Sequence, residues 1–542
     1  DRQGENRMKR NRKLLALTLS ALMTAGLLAG CSAASSSTTE TDVATSAAGT
    51  TAETANPGGE DGVFTIAYAP NESNTEAADA RNGLAEDLGA VLGCKVEEIQ
   101  ASDYNAIIEA LRTGSADMAY MGSQALALGV ERTGLEIGNA DIDGWTDDGG
   151  SKDITLHEYR TLTYDANGGT GTVNSSQVLE STTTTLNDGT GLTHPDGKIF
   201  AGWNTLPEGG GEFYDAGGTL TMPAGNLTLY ALWSSDGSTE SNPVLITDAQ
   251  GMKEIGASLK NIRKHYRLCK DLVLDDWEAI YCDIGYDQSW PFNGTFDGGG
   301  HTLTLNEVKG IRATFQAING TTFSGYFFSL FANIQYGEVR RLRVDGRITV
   351  DGTDENVYYY VGGICGYNEG TVTDCISDVT VTATGKMNVL YAGGIAGHNM
   401  SGKIFNCYAT GEIESTATAE DVDLGGIAGD NNFRIANCAA LNSNISGKDG
   451  QNKTYIHRIT GNDGGLVNNY ASTTPTAFGD KGLDKPDGED CDAKPAASWW
   501  TGQGRWADSY QRPGGSTDIF TPWDFTTIWE VTDGHLPVLH RK

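Results

Sequence analysis

Apolar and polar positions change rhythm several times along this chain. An unbroken apolar run at residues 14–28 follows the basic stretch Met8-Lys9-Arg10-Asn11-Arg12-Lys13. It is too short and too early for a spanning helix and reads as a secretory signal. Residues 32–60 hold scarcely one large apolar side chain and cannot offset the entropy of ordering, so they predict a flexible tether. From Val63 the pattern alternates between short strands, at 64–68, 96–99 and 117–121, and amphipathic helices. Those helices are expected at 76–92, at 104–112 behind a Ser102 cap, and from Ser123. Strands and helices at this spacing predict an α/β unit with a parallel sheet. Between Tyr159 and Trp233 short strands alternate with glycine turns.

Beyond residue 320 a period emerges. Val361-Gly362-Gly363-Ile364-Cys365-Gly366, Ala392-Gly393-Gly394-Ile395-Ala396-Gly397 and Leu424-Gly425-Gly426-Ile427-Ala428-Gly429 lie 31 and 32 residues apart. Each is followed by a strand ending in Asp374-Cys375, Asn406-Cys407 or Asn437-Cys438. A helix-free repeat this short cannot bury a face alone and must stack on its neighbours, which predicts a parallel β-solenoid. Stacking would set Ile364, Ile395 and Ile427 in one interior ladder about 4.8 Å per step, and the three cysteines in another. Asp374, Asn406 and Asn437 would stack at a turn. Degenerate copies are expected around Leu330-Phe331 with Leu342, and at Gly464-Gly465-Leu466. Trp499, Trp500, Trp506, Trp523 and Trp529 then crowd the C-terminal region, where a cap over the open end of the stack is expected, with glycan binding as the alternative.

Taken together the chain reads as multidomain: untranslated leader and signal (1–30), tether (31–60), a truncated α/β lobe (61–140), a small β module (154–234), a β-solenoid or β-helix (243–480) and a Trp-rich cap (481–542). Met8 is the plausible initiator, which leaves residues 1–7 as leader. The 542 residues carry 38 basic and 71 acidic side chains, a net charge of −33 that argues against nucleic-acid binding. Removing residues 1–30 takes six basic and two acidic groups and leaves 32 − 69 = −37. Of nine cysteines, none falls in a CxxC or zinc-finger spacing, so neither metal nor cofactor is expected.

Several motifs resemble known families. Leu28-Ala29-Gly30-Cys31 resembles the lipobox of bacterial lipoproteins, which implies that Cys31 is lipidated and partners a membrane lipid. Tyr68-Ala69-Pro70-Asn71-Glu72, Ala101-Ser102-Asp103-Tyr104 and Ala116-Asp117-Met118-Ala119-Tyr120-Met121-Gly122-Ser123 resemble phosphonate-type substrate-binding lipoproteins of ABC importers. The resemblance implies a periplasmic-binding-protein-like lobe in which Tyr104 and Ser123 would receive a phosphonate or phosphate-like oxyanion. It covers residues 61–137, and no second α/β unit follows, so half the cleft is missing. Leu162-Thr163-Tyr164-Asp165-Ala166-Asn167-Gly168-Gly169, Phe200-Ala201-Gly202-Trp203-Asn204-Thr205 and Leu229-Tyr230-Ala231-Leu232-Trp233 resemble the internalin B-repeat, implying a small β-grasp-like spacer with Trp203 and Trp233 in its core. The 31- and 32-residue repeats resemble the GLUG motif of adhesin-like surface proteins, and residues 292–303 an early coil of pectate-lyase-like β-helices.

Catalytic signatures are absent from the sequence: no HExxH, P-loop or GxSxG sits before a suitable element. Asp283, Asp287, Asp297, Asp345 and Asp351 are the carboxylates worth checking, and Asp351, Asp354 and Glu355 a loop cluster that could attract calcium. Turns and solvated loops explain both. The functional expectation is a membrane-anchored, non-enzymatic surface lipoprotein with an adhesin-like rod, whose partner is a surface glycan or protein. The alternative is the binding protein of a phosphonate importer whose second lobe has been lost or replaced.

Overall fold

The computed structural model describes residues 63–68, 89–90, 94–113, 115–120, 159–285, 288–462, 464–474, 488–511 and 517–541. Cys31, Ser123, Asp287 and most of the two outer expected helices, at 76–92 and from Ser123, lie outside them. The described residues fall into two compact units, the first holding those up to 161 together with 177–182 and 221–225, the second those of 162–176, 183–220 and 226–541.

In the first unit, Val63–Tyr68 is the central strand of a three-stranded sheet, flanked by Lys95–Gln100 and Met118–Tyr120. Both pairings are parallel, as the strand and helix alternation requires. Phe64, Ile66 and Ala67 are buried, and Ile107 of the helix Tyr104–Thr113 covers Ala67. The cap differs from expectation by one residue. Asp103 Oδ1 accepts the Ala106 amide at 2.9 Å, so the shorter reach of a carboxylate one position later satisfies the orphan donor that Ser102 was expected to take.

Most of the small β module opens the second unit. Its last strand, Leu227–Ser234, runs parallel to Tyr159–Asp165 and antiparallel to Ile199–Asn204. First and last strands lying side by side in parallel is the β-grasp arrangement. Asn167 and Gly168 turn through φ +46° and +84°, a region that Asn and Gly tolerate because their side chains clash least there. Trp203 is fully buried and donates its indole N–H to Asn187 O at 2.6 Å. Trp233 departs from the expected core role, being only half-buried.

The solenoid occupies the rest. One large sheet runs in parallel rungs through His265–Leu268, Thr295–Asp297, Phe331–Arg340, Cys365–Thr373, Ala396–Asn399 and Ala428–Asn431. A second stacks Leu272–Leu274, Thr302–Leu305, Arg343–Gly362 and Ile376–Gly393 in the same way. The isoleucine ladder is as the period predicts: Ile364 N–H donates to Ile395 O, Ile395 to Ile427 O and Ile427 to Ile459 O at 2.8–3.0 Å, all four side chains fully buried. Cys375, Cys407 and Cys438 form a second buried column of free thiols, each near the carbonyl two residues back at 3.1–3.3 Å. Asp374, Asn406 and Asn437 sit one position before that column, and Asn468 follows before Asn469, all four with φ between +51° and +54°. Asn and Asp recur there because the corner needs the left-handed region at every rung.

Two features were not expected from the pattern. A hairpin of Ile311–Gln316 and Thr322–Phe328 lies on the outside of the stack, and Phe315 and Phe327 bury Tyr360 and Tyr367. The Trp-rich segment is also placed differently. Glu489–Cys491 extends the final rung, but the tryptophans beyond it pack along the flank. Trp500, Trp523 and Trp529 cover Ile376, Tyr408, Ala439 and Tyr470, outward residues of successive rungs. That apolar stripe offers far more surface to cover than a single terminal rung, and the segment follows it as a strap.

Candidate functional site

Each repeat rung bends sharply at Gly-Gly-Ile, and its third glycine lets the strands on either side come back to back. A methyl group at Gly397 would lie 2.7 Å from Val361 N, and one at Gly429 only 2.3 Å from Ala392 N. With the strands this close, outward side chains before the corner meet those after it. The column Tyr360, Tyr391, Asp423 therefore faces the column Tyr367, His398, Asp430. At the first rung the meeting is aromatic, with Tyr360 and Tyr367 centroids 5.6 Å apart beneath the hairpin. At the second, Tyr391 lies 5.1 Å from the His398 ring.

Charge replaces aromatic surface in the third rung. His398 Nε2 is 3.0 Å from Asp430 Oδ2 and 2.9 Å from Asn432 Nδ2. Burial pulls the His398 pKa down, and Asp430 pulls the other way. Burial, with Asp430 and Asp421 nearby, pushes the Asp423 carboxyl up to about 8, against a weaker pull from Lys453. Asp423 is thus a neutral acid at pH 7. Its Oδ1, Asp430 Oδ1 and His398 Nδ1 are shut from solvent without hydrogen-bond partners. All three residues are less than a tenth exposed, so the cluster keeps its proton inside the protein and does not present it to a solute. Sequence reading missed this group. Its signal was the variable position after each third glycine, Tyr367, His398 and Asp430, which changes chemistry while its neighbours repeat.

A second polar ladder was also missed. Asn368 Nδ2 donates to Asn399 Oδ1 at 2.8 Å, and Asn399 Nδ2 to Asn431 Oδ1 at 2.7 Å, fully buried. One amide per rung satisfies the next, which is how a polar column survives in an apolar stack.

The residues singled out from sequence are not gathered into one site. Tyr104 is the first residue of its helix, while Ser123 and Cys31 are outside the described residues. Asp297 is buried and held by Arg341, whose Nε donates to its Oδ1 at 2.9 Å. Asp345 pairs with Arg343 at 2.7 Å. Asp283 accepts the Gly285 amide, and Asp351 the Thr384 hydroxyl. In the loop cluster, Glu355 pairs with Lys386 at 2.7 Å and Asp354 caps Asn356. Each of these described carboxylates is therefore engaged by its own local partner. Of the five C-terminal tryptophans, three are buried on the flank and Trp499 and Trp506 pack against them.

Three family models match separate stretches of the chain. Residues 66–143 match the periplasmic substrate-binding protein of phosphonate ABC transporters. Residues 161–232 match the Listeria-Bacteroides repeat domain, and residues 357–382 and 388–414 the GLUG motif. The chain is thus a composite of binding and repeat types, and the surface repeat and GLUG matches point to an extracellular protein. No curated protein matches it. Among solved structures, a chain described as a "putative immunoglobulin A1 protease" from Bacteroides ovatus is similar at 19% identity and a TM-score of 0.36, over 57% of this chain and 95% of that one. Among the described residues no helix is long and apolar enough to cross a membrane.

Proposed function

We propose that this protein is an exported bacterial lipoprotein, held to the membrane by lipid on Cys31, whose solenoid serves as an adhesin-like binding or structural rod and not as an enzyme. The observation that carries the reading is the stack itself. Its interior is filled rung by rung by Ile364, Ile395, Ile427 and the cysteine column, so what varies, and what a partner could read, is the outer face. Solenoids use such extended faces for recognition. A surface glycan or a protein is the partner this reading expects, and the net charge of −33 disfavours nucleic acid. Expression in a bacterial host fed an alkyne fatty acid tests the anchor. The wild-type chain should take up label and sediment with membranes, and Cys31→Ser should do neither; label retained by the variant would remove the anchor from the proposal.

A second reading is favoured by the match at residues 66–143: an importer's solute-binding protein, taking a phosphonate-like oxyanion near Tyr104 and Ser123. One lobe leaves such an anion largely solvated, which places this reading second.

A further inference from the structure

The β module and the first coils of the solenoid meet along a seam. Phe213 and Leu232 of the module share a buried cluster with Cys269 of the solenoid, and Lys270 Nζ reaches both Asp215 oxygens at 2.7 Å. The connecting chain is tied down by Ser235 N–H to Pro243 O and His265 N–H to Gly237 O. Beside this seam a cleft of about 300 Å³ opens, lined among others by Asn167, His194, Lys198, Trp233 and Arg267.

We propose that this cleft is a binding site for a carboxylated saccharide, one uronate- or sialate-sized ring. The assignment rests on the adhesin-like reading for its biological setting. Arg267 carries the argument. Its rung neighbours are Leu245 on one side and Asp297 on the other. Asp297 is already taken by Arg341 and Arg340. Among the described residues neither Arg267 nor Lys198 forms a salt bridge; Arg267 Nε is sealed from solvent without a hydrogen-bond partner, so it is the rest of this partly exposed guanidinium that the cleft can use. Glu208, the one acidic side chain of the lining, is exposed and pairs with neither. In a chain of net charge −33 two uncompensated cations in one cleft are the exception. A carboxylate entering there would meet a guanidinium and an ammonium among the groups that line the cleft.

The rest of the lining suits a sugar. Trp233 spends its indole N–H on Ala166 O at 2.9 Å, so what it offers the cleft is carbon surface, which the C–H groups of a sugar ring can cover. Asn167 donates both amide hydrogens inward, to Pro207 O at 2.7 Å and Ala231 O at 2.9 Å. Its carbonyl oxygen is left as an acceptor, which a hydroxyl can use. The volume stands at the small end of ligand cavities, enough for a single ring and short of a nucleotide.

Calorimetry and saturation-transfer NMR on the whole exported chain test the site, with glucuronate and N-acetylneuraminate as probes and glucose, acetate and inorganic phosphate as controls. At least one acidic sugar should saturate a single site with Kd below about 1 mM. Arg267→Gln and Lys198→Gln should each weaken it by about tenfold or more, with unchanged thermal midpoints. Glucose should not saturate. The proposal falls if neither acidic sugar binds, if glucose, acetate or phosphate binds as tightly, or if both variants bind like wild type. Failure of the adhesin reading is separable: cells lacking the chain would then attach as well as wild type whatever the sugar titrations give.

Discussion

A buried side chain in a solenoid answers to the rung above and the rung below, and Ile395 shows what that means. It lies between Ile364 and Ile427, fully buried. Ile395→Asp places a carboxylate where neither neighbour can pair with it, and should cost more than ~3 kcal/mol. Lys403, partly exposed on an outer position, should tolerate Lys403→Asp for under ~0.5 kcal/mol. Denaturant unfolding followed by tryptophan fluorescence compares the two, and equal losses would mean that the rung alignment is wrong. Asp423 gives the opposite case, a group that costs stability as it ionises. Its folded pKa of about 8 lies above the unfolded value of 3.8, so between those pH values the native state holds a proton that the unfolded chain releases. Stability from this group therefore falls as pH rises from 4 toward 8, a penalty of roughly 2–4 kcal/mol at pH 7. Asp423→Asn should stabilise the protein at pH 7 and 8 and make no difference at pH 3.5. An unchanged pH profile would place the proton elsewhere.

Among elements, the C-terminal strap is the one whose role follows from contacts made at a distance. Trp523 packs between Trp500, Trp506 and Trp529 with centroids 4.4–5.1 Å away, and donates its indole N–H to Asn437 O at 2.8 Å. The left-handed corner residues join in, since Asn406 Nδ2 donates to Thr521 O and Asn437 Nδ2 to Ala507 O, each at 2.8 Å. The turn ladder thus has two tasks: it bends every rung and it holds the strap. Trp523→Ala should cost about 3–5 kcal/mol, concentrated in strap docking. Limited proteolysis should then cut within residues 488–541 well before the solenoid is touched. Simultaneous digestion of strap and rungs would show that the two unfold as one body.

At the scale of the whole molecule, the α/β segment and the solenoid ask different things of a partner. The three-stranded parallel sheet and the helix Tyr104–Thr113 fall within the stretch that matches the phosphonate-binding family model, and the proposed reading gives that stretch one lobe only. Calorimetry of the exported chain with phosphate and an alkylphosphonate should accordingly give no Kd below about 1 mM, a binding free energy of only ~4 kcal/mol. Micromolar binding lost in Tyr104→Ala would restore the importer reading. The amino-acid sequence by itself determined the parallel sheet of that lobe, the positive-φ turn at Asn167, the rung period and the isoleucine, cysteine and Asn corner ladders. Those depend on neighbours one turn apart, so the spacing of glycines and aliphatics along the chain encodes them directly. Tertiary structure alone decided what covers the outer face. Periodicity sets Tyr360 and Tyr408 outside the interior ladders, and the repeat resemblance puts Trp233 in a core, but neither carries information on the hairpin that buries the first, the strap that reaches the second, or the cleft that leaves the third partly exposed. The contact of Trp529 Nε1 with Asp374 Oδ1 spans 155 residues. Likewise His398, Asp423 and Asp430 come together only because glycine at the corner lets two strands close on each other, and a carboxyl acquires its proton from the burial that results.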